Sequence, residues 1–131
     1  TMAFNSIMDS YKLPKNTVKE VNFRQLSINN AYKEATTIPF YTLQKCEKII
    51  LLSIEVARNG NENAITDAGV SGEMAHSGAH SAAYNIFINL KDVKDEDFCL
   101  KLKKNTNTII KNIDNSLKKL RAIINKSLNN A

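Results

Sequence analysis

The recurrence of apolar residues every three or four positions constrains the fold of this chain more than any other feature. In the last third of the sequence the recurring residues are Phe98, Leu102, Ile109, Ile113, Leu117, Leu120 and Ile124. This spacing puts them on one face of an α-helix, and no alternating strand pattern competes with it. Only two prolines and four glycines interrupt the 131 residues. The sequence therefore predicts an all-α fold with long helices.

Five helices are predicted between proline, glycine and capping positions. Pro14 ends the first, because the residue before a proline is pushed out of the helical region. Pro39 is expected to begin the third helix, where its missing N–H costs nothing, and Gly60 to end it in a left-handed conformation. Thr17 or Asn16 is expected to cap the second helix. The expected ranges are 3–11, 17–35, 39–59, 66–90 and 95–128.

Short connections between these helices favour antiparallel neighbours. The sequence therefore predicts an antiparallel up-and-down helical bundle. A bundle of this size would leave apolar faces exposed, so we expect dimerisation to complete its core. Thr66 or Asp67 is expected to cap the fourth helix, and Asp95 to open the fifth.

The fourth predicted helix has an unusual face made almost entirely of small residues. At alternating four- and three-residue steps it carries Ala68, Gly72, Ala75, Ala79, Ala82, Ile86 and Asn89. Small side chains let two helices approach closely. Gly69 and Gly78 each cost about 1 kcal/mol relative to alanine in a helix interior. Two interpretations stay open: tight helix packing, including packing across a two-fold axis, and a flat wall for a planar ligand.

Length, composition and cysteine content limit the class of protein. With 131 residues, 43% of them apolar, the chain is expected to form one domain over residues 1–131. It has no apolar run of about 18 residues and no signal-peptide layout at its start, so we expect no membrane partner. Cys46 and Cys99 form neither a metal-ligand spacing nor a disulfide framework. We expect both thiols to stay reduced in a cytoplasmic protein.

The net charge of +5 is concentrated at the C-terminal end. Residues 100–131 carry eight lysines and arginines against a single acid, Asp114, which gives this segment +7 and leaves −2 for the rest. A basic helix can attract anions or nucleic acid. No aromatic side chains alternate with these cations to stack on bases, so a solvated helix face is the favoured interpretation. We expect no nucleic-acid partner.

Two groups of side chains on the fourth predicted helix could take part in chemistry. Glu73, His76 and His80 share one face, and two histidines one turn apart can chelate a metal ion. No second cluster in the sequence completes such a site, so we expect no metal and interpret the histidines as surface or subunit-interface residues. Asp67, at the helix start, would be stabilised as an anion by the helix dipole and could pair with a cation. Capping is the ordinary role of such a residue.

Motifs spread over most of the chain resemble one known family. The chain reads Tyr-Lys-Leu-Pro-Lys at 11–15, Asn-Ala-Ile-Thr-Asp-Ala-Gly-Val at 63–70 and Asn-Ile-Phe-Ile-Asn-Leu at 85–90. These segments resemble Tyr-Arg-Leu-Pro-Lys, Asn-x-x-Ser-Asp-x-Gly-Val and Asn-Val-x-Ile-Asn-Leu of the cyclodeaminase/cyclohydrolase family, which includes the C-terminal domain of formiminotransferase-cyclodeaminase. The family's N-terminal helix and Pro-Gly-Gly-Gly-Ser loop have no counterpart here. We therefore interpret the chain as that domain without its N-terminal helix and Gly-rich loop.

The resemblance implies an enzyme of folate one-carbon metabolism. A cyclohydrolase adds water to the amidinium carbon of 5,10-methenyltetrahydrofolate and yields 10-formyltetrahydrofolate. A cyclodeaminase closes 5-formiminotetrahydrofolate to the same methenyl cation and releases ammonia, a step of histidine degradation. The lack of a fused transferase favours the cyclohydrolase. The cyclodeaminase and a non-catalytic helical dimerisation module remain the alternatives.

The resemblance also implies which residues form the site. Asp67 is expected to be the fixed anion beside the cationic amidine, because preorganised charge is usually the largest catalytic contribution. Lys15 would transfer a proton or bind the carboxylates of the folate. The substrate-binding residues are expected to be Asn85, Asn89, Thr66 and Gly69, although the two asparagines are also consistent with hydrogen bonds between helices. We expect a tetrahydrofolate derivative as substrate, no tightly bound cofactor, and a homodimer.

Overall fold

Four α-helices account for nearly all of the part of the chain that the computed structural model describes, residues 2–130. They are α1 (Met2–Lys12), α2 (Val18–Asn59), α3 (Ile65–Leu90) and α4 (Glu96–Asn130), with a short 3-10 turn at Glu62–Ala64. No strand is present within these described residues. The predicted all-α fold is confirmed.

The long helices run antiparallel to their neighbours along the chain. Tyr11 near the end of α1 accepts hydrogen bonds from Arg24 near the start of α2. Residues early in α3 face residues late in α2 and late in α4, as the surroundings of Gly72 show: a Cβ there would meet Ile50 and Leu120. The up-and-down arrangement is therefore confirmed. No helix among residues 2–130 is long and apolar enough to cross a membrane.

The predicted break at Pro39 is wrong, because α2 continues through it as one helix of 42 residues. A proline inside a helix provides no N–H for the carbonyl four residues earlier, which here belongs to Ala35. The side-chain amide of Asn89 on α3 fills this gap, since its Nδ2 donates to the Ala35 carbonyl oxygen at 3.1 Å. Packing against α3 thus satisfies the acceptor that the proline leaves without its helical donor.

The helix ends follow the predicted chemistry in part. Thr17 caps α2 in a capping box: its hydroxyl accepts from the backbone N–H of Glu20, and the Glu20 carboxylate accepts from that of Thr17. Asp95 caps α4 by accepting from the backbone N–H of Phe98 at 3.0 Å. Gly60 does end α2, but with φ −83° rather than the predicted left-handed conformation.

The predicted cap of α3 is also wrong. The helix begins at Ile65, and Ala64 occupies the cap position without a side-chain hydrogen bond. The reason is that the 3-10 turn leads directly into α3; the side chain of Asn61 caps that turn instead, by accepting from the backbone N–H of Asn63. Thr66 and Asp67 consequently lie inside the first turn of α3.

The small-residue face of α3 lies inside the chain, between α2 and α4. Its buried members are Ala68, Gly72, Ala75, Ala79, Ala82 and Ile86. A Cβ on Gly72 would collide with Leu120, and one on Gly78 would approach Cys46 Sγ to 3.2 Å. Tight helix packing is therefore the correct interpretation of this face, but the packing occurs within one chain and not across a two-fold axis. Cys46 and Cys99 are buried and unpaired, as predicted.

Candidate functional site

A cleft lies where α1 and the middle of α2 meet the second half of α3. Its volume is about 530 Å³. The side chains around it are mainly apolar or small, and they include Phe4, Ile7, Ile38, Pro39, Thr42, Gly78, Ser81, Asn85 and Asn89. An apolar cleft with a few polar groups on one wall is typical of a small-molecule site. Gly78 keeps the α3 wall flat where the helix faces the cleft.

The two predicted substrate-binding asparagines provide the amide groups of this cleft. Asn85 is exposed, and its Nδ2 donates to the carbonyl oxygen of Ser81 at 3.0 Å. Asn89 is half-buried, and its Nδ2 is held by the Ala35 carbonyl. These hydrogen bonds use the Nδ2 donor of each side chain, and the Oδ1 of each amide is an acceptor. The helix–helix hydrogen bond considered for these residues is thus found at Asn89.

Asp67 lies at the opposite end of α3, in a separate groove of about 310 Å³ formed with the last turns of α2. Ile49, Leu52 and Val56 form its apolar side, and Ser53 is buried beneath. Asp67 is exposed in the first turn of the helix, where free backbone N–H groups and the helix dipole favour an anion. This groove combines an apolar wall with one exposed carboxylate.

The remaining predicted site residues lie elsewhere. Thr66 and Gly69 line a third groove together with Arg121 and Ile124 of α4. Lys15 is exposed in the connection between α1 and α2. Asp67 and Asn85 are eighteen residues apart on one helix, which corresponds to about 27 Å at about 1.5 Å per residue. A single chain therefore brings Asn85 and Asn89 together but keeps both away from Asp67, and Lys15 does not line their cleft.

An exposed stripe runs along α3 from Asp67 towards Asn89. Its large apolar members are Val70, Met74, Tyr84 and Ile88, each more than half exposed. With Ser77 and Ser81 between them, these residues follow alternating steps of four and three, the spacing of a helix–helix contact. Exposed apolar residues in a contiguous stripe mark an interaction surface.

Sequence reasoning missed one cluster, because its third member comes from another helix. His76 and His80 of α3 both lie within hydrogen-bond distance of one carboxylate oxygen of α4, Asp114 Oδ1, and each Nε2–Oδ1 distance is 2.8 Å. The contact with His80 contributes most to lowering the pKa of Asp114, and the contact with His76 lowers it further. One signal was available: Asp114 is the single acid in the basic segment 100–131.

One turn before His76, α3 forms an ion pair with α4. Arg121 donates from Nε and Nη2 to the two carboxylate oxygens of Glu73, at 2.6 and 2.7 Å. The bidentate contact with Arg121 lowers the pKa of Glu73. Glu73 therefore belongs to an ion pair and not to the histidine cluster, although all three share one face of α3.

These features define an all-helical domain in which a helix of small residues carries an amide-lined cleft at one end and an exposed carboxylate at the other. The chain belongs to the formiminotransferase-cyclodeaminase family, whose sequence profile matches residues 1–108. The structural likeness is close as well. The crystal structure of formiminotetrahydrofolate cyclodeaminase from Thermotoga maritima superposes with a TM-score of 0.82 at 21% identity, covering 97% of this chain and 59% of that one. This likeness shows that the fold is shared.

The relatives of this chain bear the names of two enzymes, a cyclohydrolase and a cyclodeaminase. Methenyltetrahydrofolate cyclohydrolase of Methylorubrum extorquens is 42% identical over 96 residues, which cover 73% of this chain and 46% of the relative. Formimidoyltransferase-cyclodeaminase of Gallus gallus is 32% identical over 96 residues, 73% of this chain and 18% of the relative. The Dictyostelium discoideum protein of that name is 30% identical over 124 residues, 95% of this chain and 22% of the relative. The chain thus spans less than half the length of these relatives.

Proposed function

We propose that this chain provides the catalytic helices of a methenyltetrahydrofolate cyclohydrolase, a folate enzyme that converts 5,10-methenyltetrahydrofolate and water into 10-formyltetrahydrofolate. The observation that carries the proposal is the 42% identity to the Methylorubrum extorquens enzyme of that name. The reaction needs no tightly bound cofactor, because water is the only other reactant. The buried, unpaired thiols are consistent with action in the reducing cytoplasm.

In this proposal Asp67 stabilises the cationic centre of the substrate. The methenyl carbon lies between two folate nitrogens that share a positive charge. Water adds to that carbon and loses one proton, which gives a tetrahedral intermediate with a hydroxyl group. The hydroxyl proton is then lost and N5 gains a proton as the bond from this carbon to N5 breaks, so the formyl group stays on N10. A carboxylate fixed before the substrate arrives needs no reorganisation during these steps, and such preorganised charge lowers the barrier. The position of Asp67 at a helix N-terminus supports this role.

The amide-lined cleft is the proposed site for the planar part of the folate. Its apolar wall at Phe4 and Pro39 suits a ring system, and the flat α3 wall at Gly78 leaves room for one. The Oδ1 atoms of Asn85 and Asn89 would accept hydrogen bonds from ring N–H groups. We also propose Lys15, Thr66 and Gly69 as site residues, because they lie in the motifs at 11–15 and 63–70.

A homodimer would unite these separated groups, and this is the assembly we propose. We propose that the exposed stripe of α3 packs antiparallel against the same stripe of a second copy, with the two-fold axis near the middle of the helix. Asp67 of one copy then comes to the end of α3 that carries Asn85 in the other copy. Sedimentation at micromolar concentration should give twice the chain mass, and a monomer would contradict this assembly.

Mixing two inactive variants tests whether the site is shared between copies. We expect Asp67→Asn and Asn85→Ala chains to be nearly inactive separately. In a mixed dimer one of the two sites contains both native residues, so re-equilibrated mixtures should recover about a quarter of wild-type activity. Mixtures that stay as inactive as the separate variants, while mixed dimers are detected by mass, would overturn the shared site.

The cyclodeaminase reaction is the second candidate, because several relatives carry that name. Both reactions pass through a tetrahedral carbon bonded to both folate nitrogens, so the same anion would serve either one. A third candidate is a non-catalytic helical dimerisation module. Two assays distinguish them: loss of methenyl absorbance above the spontaneous rate, and ammonia released from 5-formiminotetrahydrofolate. Methenyl turnover without ammonia release supports the cyclohydrolase, the reverse pattern supports the cyclodeaminase, and no turnover in either assay supports the module.

A further inference from the structure

We propose that His76, His80 and Asp114 form a binding site for one divalent transition-metal ion of the zinc type, held between α3 and α4. The proposal does not depend on the folate reaction. It concerns the face of α3 that meets α4, whereas the amide-lined cleft is bounded by α1 and α2.

The three side chains already converge on one point. The possible ligand atoms, one from each residue, all lie within 4.8 Å of one another. Each Nε2 is 2.8 Å from Asp114 Oδ1. Two ligands of a tetrahedral zinc ion, at bond lengths of about 2.0–2.2 Å, stand roughly 3.3 Å apart. Each histidine–Asp114 pair therefore has to open by only about half an ångström to admit the ion.

The protein core fixes the backbone positions of all three ligands. On α3 the neighbours Ala75 and Ala79 are buried, and on α4 Ile113 and Leu117 are buried. Well-packed helices rarely shift against each other, so the site needs little reorganisation to bind. The i, i+4 spacing of the histidines projects both imidazoles to the same side of α3.

The chemistry of the ligand set points to a borderline metal. Imidazole favours zinc, nickel, cobalt and copper over magnesium or calcium, and one carboxylate balances half of the charge of a divalent ion. Three protein ligands also leave a fourth position for water. The side chains of His76 and His80 are 29% and 33% exposed, so an ion can reach them from solvent.

Metal binding changes the hydrogen bonding of the histidines without net proton release when both imidazoles are neutral. In the metal-free chain each Nε2–H donates to the shared carboxylate oxygen. When the ion binds, the proton of each imidazole moves from Nε2 to Nδ1, and the Nε2 lone pair faces the ion. The proton moves between ring nitrogens through solvent, so charge and atoms balance.

Imidazole nitrogen NMR reads this change directly, because His76 and His80 are the only two histidines in the chain. On titration with Zn²⁺ alone we expect both Nε2 resonances to shift with saturation at one ion per chain, and both rings to become Nδ1–H tautomers. Zn²⁺ that leaves either imidazole spectrum unchanged, or that binds with no defined stoichiometry, would overturn the proposal.

Calorimetry on variants tests the carboxylate ligand. Asp114→Asn keeps a hydrogen-bond acceptor for the histidines but removes the anionic ligand, so Zn²⁺ affinity should fall by roughly tenfold to a hundredfold or more. Asp97→Asn is the matched control, since it removes an exposed acid from the first turn of the same helix, and its affinity should stay within about twofold of wild type. Equal affinity of the Asp114→Asn and Asp97→Asn chains would contradict the site.

His80→Gln supplies an independent check of the histidine ligands. We expect the same loss of affinity, with the circular dichroism spectrum of the helices unchanged. If this variant fails to fold, the NMR titration of the wild-type chain still decides the question.

Discussion

Gly72 of α3 packs directly against Leu120 of α4, so replacing it with alanine tests whether small residues set the packing of the domain. The new Cβ would lie well inside van der Waals contact of Leu120 Cδ2, and Ile50 stands at 3.8 Å on the other side. Leu120 and Ile50 are both fully buried and cannot turn away into solvent. Overpacking of this kind costs about 1–3 kcal/mol, whereas removing a helical glycine contributes about 1 kcal/mol in the opposite direction. We expect Gly72→Ala to destabilise the chain by about 1 kcal/mol.

Gly69→Ala is the matched control, because it makes the same substitution one turn earlier in the same helix. Its Cβ would meet the tip of the Ile124 side chain at 2.6 Å, but Ile124 is only half-buried and can change rotamer. The helix-propensity gain should then prevail, with a change between zero and about 1 kcal/mol of stabilisation. Urea unfolding of both variants measures the difference. Equal stability of Gly72→Ala and Gly69→Ala would refute the packing argument.

Three further predictions follow from particular contacts. Asn89→Ala removes the donor to the Ala35 carbonyl beside Pro39; leaving that acceptor unpaired should cost about 1–3 kcal/mol in urea unfolding, and a neutral effect would contradict its role. The hydrogen bond from Lys33 lowers the pKa of Asp95, so its stabilisation is present above the pKa of an unfolded carboxyl group and is lost as pH falls through the folded value. Asp95→Asn should therefore be less stable than wild type at pH 7, and a gap that persisted in acid would oppose this assignment. Burial raises the pKa of the Cys46 thiol, so alkylation of the folded chain should be slow at pH 8 and complete, without reductant, only in denaturant; rapid labelling of native protein would contradict the burial.

Helix content and direction could be predicted from the sequence because they depend on local periodicity and capping. The stripe of apolar residues on α4 and the Thr17 cap of α2 are local signals, and both are found in the structure. Pro39 could not be interpreted correctly from its neighbours. Its effect on α2 depends on a hydrogen bond from Asn89, 54 positions away along the chain, and no local pattern reports such a bond.

The candidate site was likewise predictable only where its residues have local signals in the sequence. The motif around Asp67 and the asparagine pair were found from the sequence, and both line grooves of the structure. Their separation along α3 also follows from the sequence, because a helix has a fixed rise per residue. Asp114 could not be assigned to the histidines, since the register of α4 against α3 decides which of its residues faces them. In that register Leu120 of α4 packs against Gly72 of α3.

The most direct test of the proposed function is the turnover of 5,10-methenyltetrahydrofolate by wild-type and Asp67→Asn chains, measured as the decay of methenyl absorbance alongside thermal melts. Asp67 is exposed and does not cap α3, so the substitution should lower stability by no more than about 0.3–1 kcal/mol through the helix dipole. Loss of a charge that stabilises a cationic centre should lower turnover roughly a hundredfold or more, about 2.7 kcal/mol. Glu62→Gln removes a neighbouring carboxylate from the 3-10 turn and should leave turnover unchanged. An Asp67→Asn chain that melts normally and turns over within a few-fold of wild type would contradict the proposed mechanism.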